Sequence, residues 1–267
     1  MIPLHSIKCF IIDMDGTIYL GERALLGALD LLSYLDDTNV PYLFFTNNSS
    51  ASPENYVKKL SRLGFGEYPK SRIISSANVA ADYITRTYGC SAKAYVVGTP
   101  ALLEQLYEHG VKCVDEADSP DCLLVGFDTT LDYKKANHAL ELIRGDVPFL
   151  ATNIDTVCPL DGGKVLLDCG SICKMLTHAS GVEPKFLGKP FAETAAYIAD
   201  ITNIQLNETA VIGDRLYTDM RFAVDNGMCS IGLLSGEMTQ QDIDESGMKL
   251  DYIFKGAKEL FDALKQQ

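Results

Sequence analysis

Short apolar runs alternate with amphipathic stretches along most of the chain. This is the pattern of βαβ units on a mainly parallel sheet, so the expected fold class is α/β. Ile7 to Ile12 is a continuous apolar run suited to a strand buried on both faces, and it stops abruptly at Asp13-Met14-Asp15-Gly16-Thr17. Leu25, Leu29, Leu32 and Leu35 then fall on one helical face. A second run, Pro41 to Phe45, ends in Thr46-Asn47-Asn48-Ser49. Ser52-Pro53-Glu54 reads as an N-cap, a first-turn proline and a first-turn acid. Tyr56, Val57, Leu60 and Leu63 supply the apolar face of that helix, and Gly64 ends it.

The strand-then-polar-tip pattern returns at Phe186-Leu187 before Gly188-Lys189-Pro190, and at Ala210-Val211-Ile212 before Gly213-Asp214-Arg215. In open parallel sheets, ligands bind outside the carboxyl ends of the strands where the strand order reverses, so these tips are candidates to meet in one crevice. Asp13 to Thr46 and Lys189 to Asp214 each span about one crossover, but Thr46 to Lys189 spans 143 residues. That interval has its own alternation. Ala94 to Val97, Cys122 to Val125 and Pro148 to Ala151 read as strands, and Pro100 to His109 and Tyr133 to Arg144 as helices. The expected organisation is a three-layer, Rossmann-like core from residues 1–77 and 181–267, with an inserted α/β domain over 78–180. Within the insert, Asp161-Gly162-Gly163 reads as a turn.

Composition agrees with a packed protein: 47% of residues are apolar and 22% charged. Lys and Arg number 23 against 36 Asp and Glu, a net charge of −13 with no basic stripe, which argues against nucleic acid or an anionic membrane as a partner. No apolar run is long enough to span a bilayer, and the first residues lack the pattern of a secretory leader, so a cytoplasmic location is expected. The eight cysteines include no C-x-x-C pair and read as buried free thiols. Cys169 and Cys173, one helical turn apart, lack metal-ligating companions at the usual spacing.

Asp13 and Asp15, two apart at a strand end, suit a nucleophile and an acid–base; taken alone, the D-x-D-G segment reads first as an acidic turn. Asp214 adds a third carboxylate at another strand end. Converging carboxylates repel and raise one another's pKa values, so such a cluster implies a bound cation, and hard oxygen ligands indicate Mg²⁺. Thr46 offers a hydroxyl, Asn47 and Asn48 offer backbone amides in a polar turn, and Lys189 offers a point charge, all suited to phosphate oxygens.

The ordered set Asp13-Met14-Asp15-Gly16-Thr17, Thr46-Asn47-Asn48, Gly188-Lys189-Pro190 and Gly213-Asp214-Arg215-x-x-Thr218-Asp219 resembles the haloacid dehalogenase-like phosphatases. More narrowly, it is similar to their NagD and p-nitrophenyl phosphatase branch, which carries a large α/β cap between the second and third motifs. The resemblance implies that Asp13 attacks phosphorus to form an aspartyl-phosphate and that Asp15 acts as acid and then base. It further implies that Mg²⁺ binds the Asp13 carboxylate, the Asp15 carbonyl and the Asp214 carboxylate. Thr46, the Asn47 amide and Lys189 would grip the phosphoryl oxygens, and Asp219 would order Lys189 or a metal-bound water.

Having an aspartate at position 15 favours phosphate monoesters, since dehalogenase, phosphonatase and transport-ATPase relatives generally replace it. The implied activity is hydrolysis of small phosphorylated metabolites, either sugar phosphates or nucleotide monophosphates. A phosphotransferase or mutase, or a weakly catalytic phosphometabolite-binding regulator, stands as the alternative. In such a protein the cap selects the substrate and supports a homodimer. Thr152-Asn153-Ile154-Asp155 resembles the family's T-N-x-D segment, with Asn153 and Asp155 either facing the substrate or shaping a loop.

Overall fold

A computed structural model of the chain describes residues 2–160 and 163–266. Along the chain run β1 (Cys9–Ile12), a small hairpin of β2 (Tyr19–Leu20) and β3 (Arg23–Ala24), β4 (Tyr42–Thr46) and β5 (Ile73–Ser75). Next come β6 (Lys93–Val97), β7 (Lys112–Cys113), β8 (Cys122–Val125), β9 (Phe149–Ala151), a hairpin of β10 (Val157–Pro159) and β11 (Val165–Leu167), and β12 (Lys185–Phe186). β13 (Thr209–Gly213), β14 (Cys229–Leu233) and β15 (Tyr252–Phe254) complete the series. Of the expected turn Asp161-Gly162-Gly163, the first two residues lie outside the described residues.

The chain forms two compact units. One comprises Met1–Thr46, Glu54–Ile74 and Ala195–Gln267, and the other Asn47–Pro53 and Ser75–Thr194. The second unit therefore begins before residue 78, runs on past residue 180, and takes in both Asn47 and Lys189. The cause lies in pairing: Lys185 and Phe186 of β12 pair in parallel with Leu150 and Ala151 of β9, so the segment carrying Lys189 completes the second unit's sheet.

The first unit holds a six-stranded sheet in the order β15-β14-β13-β1-β4-β5. β1 pairs in parallel with both β13 and β4, with Ile12 opposite Ile212 on one side and Phe44 on the other. All four β1 residues and all five of β13 are buried, as continuous apolar runs require when helices cover both faces. From β1 the chain steps one way to β4 and β5, and from β13 the other way to β14 and β15, so the strand order reverses between β1 and β13. Right-handed crossovers leaving in opposite directions place their helices on opposite faces, producing three layers.

The helix after the β2–β3 hairpin spans Ala28–Asp37 and buries Ala28, Leu31, Leu32 and Leu35. This differs from the expected face: Leu25 precedes the helix and Leu29 is exposed. The start is set by Gly27, whose φ of 80° is left-handed and whose added Cβ would lie 2.4 Å from the Lys258 Cα. The close approach of the C-terminal helix, Ala257–Lys265, thus fixes which side of the leucine-rich helix faces inward. The helix Pro53–Arg62 begins at the expected proline and buries Tyr56 and Leu60.

The second unit holds a five-stranded parallel sheet in the order β12-β9-β8-β6-β7. Its core joins Val97, Leu123, Val125 and Phe149 of the sheet to Ile143 and Leu176 of the helices Tyr133–Arg144 and Cys169–Ser180. Thr99 caps the helix Pro100–Glu108 by accepting from the Leu102 amide, a contact typically worth about 1 kcal/mol. The cysteines are free: five are buried, Cys113 and Cys158 are half-buried and Cys90, against expectation, is exposed. The Sγ atoms of Cys169 and Cys173 lie 3.9 Å apart in the helix, where the Cys169 thiol also faces the Val125 carbonyl. No helix among the described residues is long and apolar enough to cross a membrane.

Candidate active site

The reversal of strand order sets Asp13 and Asp214 side by side. Asp13 follows β1 and its amide donates to the Ile212 carbonyl at 2.9 Å, while Asp214 follows β13 directly. After β1 the chain folds sharply back: the amides of Thr17 and Ile18 donate to the Met14 carbonyl, and that of Gly16 to Tyr19. Gly16 has a φ of 90°, and a Cβ there would stand 2.3 Å from Asp214 Oδ2. Backbone conformation and room for the carboxylate both demand glycine.

Asp214 is 2% exposed and accepts from both sides. The Thr17 hydroxyl donates to Oδ1 at 2.9 Å; its 3.4 Å separation from Asp13 Oδ2 is the poorer use of its single proton. The Glu237 amide donates to Oδ2 at 2.8 Å, and the Met238 amide to the Asp214 carbonyl at 2.8 Å. Gly236 lets this strap approach, since a Cβ there would fall 1.9 Å from Oδ2. Asp219, in a π-helical turn at Leu216–Met220, accepts from the Arg215 amide at 3.1 Å. Arg215 pairs with Glu237 at 3.1 Å.

One carboxylate oxygen each from Asp13, Asp214 and Asp219 lies within 4.8 Å of the others. This places Asp219 beside Asp13 and Asp214; the resemblance implied that it orders Lys189 or a metal-bound water. Burial first, and the neighbouring Asp219 charge second, push Asp214 up from 3.8 to about 6, against the pull of the Glu237 amide, Arg215 and Thr17. A hard divalent cation fits this donor set: it would bring to the two buried carboxylates the positive charge that their crowding calls for.

A pH dependence follows for the metal-free protein. The folded state holds the Asp214 proton up to about pH 6, the unfolded state only to about 3.8. The contribution is therefore fully present below pH 3.8 and is lost as pH rises through 6. In urea unfolding with EDTA, the stability of wild type relative to Asp214→Asn should rise as pH falls from 7 to 4. A difference independent of pH would show that Asp214 ionises normally.

Asp15 is exposed and bridges to Tyr19, apart from the three grouped carboxylates. Burial, then Tyr56 and the Asp15 and Asp13 charges, pushes the Tyr19 phenol well above its usual range, so it stays neutral there. Thr46 ends β4, the neighbour of β1.

The remaining expected residues belong to the second unit. Lys189 is 2% exposed and precedes a cis proline. The Asn47 side chain accepts from the Lys189 amide at 2.9 Å and donates to the Lys189 carbonyl at 3.1 Å and to Asp155 Oδ2 at 2.9 Å. Asn48 accepts from the amide and hydroxyl of Ser50, a local turn. Asn153 and Asp155 are 0% and 1% exposed; Asn153 donates to Asp155 Oδ2 at 3.0 Å and to Asp168 Oδ1 at 3.2 Å. Thr17 stood in the first motif without an assigned role, whereas Gly236, Glu237 and Asp168 carried no signal in the sequence.

Residues 10–112 match the family model described as haloacid dehalogenase-like hydrolase, and residues 186–260 one described as HAD-hydrolase-like. An acid sugar phosphatase of Staphylococcus aureus (strain USA300) is 30% identical over 263 residues, 98% of this chain and 100% of the relative. The crystal structure of a 4-nitrophenylphosphatase from Thermotoga maritima superposes with a TM-score of 0.91 at 34% identity, covering 97% of this chain and 98% of that one. A glycerol phosphate phosphatase from Mycobacterium tuberculosis, solved in complex with calcium, gives 0.88 at 28% identity, covering 96% of this chain and 75% of that one. The chain belongs to the haloacid dehalogenase-like hydrolases, in the phosphatase branch to which the motif order pointed.

Proposed function

We propose that the protein hydrolyses small phosphorylated metabolites, sugar phosphates foremost, through an aspartyl-phosphate on Asp13 and with Mg²⁺ as cofactor. The observation that carries this reading is the Asp13, Asp214 and Asp219 carboxylate group at the reversal of strand order. The substrate class follows the relatives, whose names are acid sugar phosphatase, 4-nitrophenylphosphatase and glycerol phosphate phosphatase.

A carboxylate oxygen of Asp13 attacks phosphorus and the ester P–O bond breaks, while the Asp15 carboxyl gives its proton to the departing alkoxide. Water then attacks the phosphorus, Asp15 takes its proton, and the bond to Asp13 breaks to release phosphate. The exposure of Asp15 suits exchange of protons with substrate and water. Mg²⁺, held by the Asp13 and Asp214 carboxylates and the Asp15 carbonyl with Asp219 in reach, would neutralise charge between nucleophile and phosphate. By the motif match, the Thr46 hydroxyl, the Asn47 amide and Lys189 hold the phosphoryl oxygens as charge shifts in the transition state. The inserted residues 78–180 then act as the cap that selects the substrate.

The test is phosphate release from p-nitrophenyl phosphate and a panel of sugar phosphates, nucleoside monophosphates and glycerol phosphate, with Mg²⁺ and with EDTA. Release with Mg²⁺ that stops in EDTA is expected. Folded, metal-loaded protein that releases phosphate from none of them would overturn the reading.

A further inference from the structure

Within the second unit, the Asn47 side chain spends its hydrogen-bonding capacity on the chain that carries Lys189. Its Oδ1 accepts from the Lys189 amide and its Nδ2 donates to the Lys189 carbonyl, so one side-chain amide grips the backbone on both sides of a single Cα. Fixing both peptide planes fixes the direction of the Cα–Cβ bond, and with it the root of the lysine side chain. The same Nδ2 donates to Asp155 Oδ2, which also accepts from Asn153. Asn153 in turn reaches Asp168, the cap of the helix Cys169–Ser180.

The grip is closely built. A Cβ on Gly188 would lie 2.7 Å from Asn47 Oδ1 and 2.5 Å from the Thr152 carbonyl, so only glycine allows the approach. From the other side, the Ser76 hydroxyl donates to the Asn47 carbonyl at 2.6 Å. Ser49, two residues on, accepts from the Phe127 amide and lies 3.1 Å from the Thr152 hydroxyl. These groups are buried, where hydrogen bonds are strong and a lost partner is costly.

We infer that the Asn47 side chain, backed by Asp155, is a positioning residue that aims Lys189, a role separate from that of the Asn47 backbone amide. The inference rests on the proposed function, in which Lys189 holds a phosphoryl oxygen. A lysine whose root shifts by about 1 Å loses its contact in the transition state, which typically costs on the order of 10²-fold in rate.

The test is a double-mutant cycle in the full-length enzyme with p-nitrophenyl phosphate and Mg²⁺, using Asn47→Asp, Lys189→Ala and the pair. Asn47→Asp keeps size and acceptor but replaces the donor with a carboxylate facing Asp155 and the Lys189 carbonyl. Each single change should lower kcat/KM about 10²-fold and weaken inhibition by inorganic phosphate. The pair should be no more than about threefold worse than Lys189→Ala alone, because Asn47 then has nothing left to aim. Losses that multiply to about 10⁴-fold would overturn the inference while leaving Lys189 in its role. Lys189→Ala at near-normal rate would overturn the lysine's role and the inference with it. Should Asn47→Asp fail to fold, Asp155→Asn enters the same cycle under the same criteria.

Discussion

Asp13→Asn should abolish turnover of every substrate, by a factor on the order of 10⁴ or more, and leave the protein folded. The amide that replaces the carboxylate cannot form the phosphoryl bond. Asp214 and Asp219 are buried and held by the Thr17 hydroxyl and by the Glu237 and Arg215 amides. The substitution also removes one charge from a group of three carboxylates within 4.8 Å of one another. The metal-free variant should therefore unfold at the same temperature as wild type or a higher one, and gain less from added Mg²⁺. Phosphate release and thermal unfolding with and without Mg²⁺ check both parts. Turnover within tenfold of wild type would remove Asp13 as the nucleophile.

Asp15→Asn should slow the enzyme according to the leaving group. General acid catalysis contributes about 10²–10⁴-fold where the departing oxygen needs a proton, so alkyl phosphates such as sugar phosphates should lose that much. p-Nitrophenolate leaves without a proton, and the step forming the aspartyl-phosphate from it should be nearly unaffected. A burst of nitrophenolate followed by slow turnover is then expected, because Asp15 is still needed to take a proton from the attacking water. Because Asp15 is exposed, the variant should fold normally. Equal loss in both steps for both substrates would indicate that Asp15 serves the site in some way other than proton transfer.

Much of the architecture was legible in the chain because the signals were local. β8 falls on the expected Cys122 to Val125 and the helix Tyr133–Arg144 on its expected limits. In the one case a strand buried on both faces must be apolar throughout; in the other Asp132 caps the helix start, and Gly145 ends it. The leucine-rich helix was read less well, since leucines on two sides leave more than one apolar face. The face was chosen by Gly27 against Lys258, a contact across 231 positions. β12 was legible as a short strand but not as part of the second unit's sheet, because two residues carry no mark of the sheet they join.

The candidate site divides in the same way. Asp13, Asp15, Thr46, Lys189 and Asp214 were named from strand-end motifs, whose residue types follow directly from the chemistry of phosphate and a divalent cation. The grouping of Asp219 with Asp13 and Asp214, the Gly236-Glu237-Met238 strap and the grip of Asn47 on Lys189 came only with the folded chain. By itself the sequence determined the α/β class, the order of the polar tips and the family they belong to, since each depends on residue type and spacing along one strand, helix or turn. Tertiary structure alone decided which carboxylates stand together, how far burial raises Asp214, and which unit carries Lys189. Those properties depend on distances and desolvation between residues far apart in the chain, and they take definite values only when packing brings the residues together.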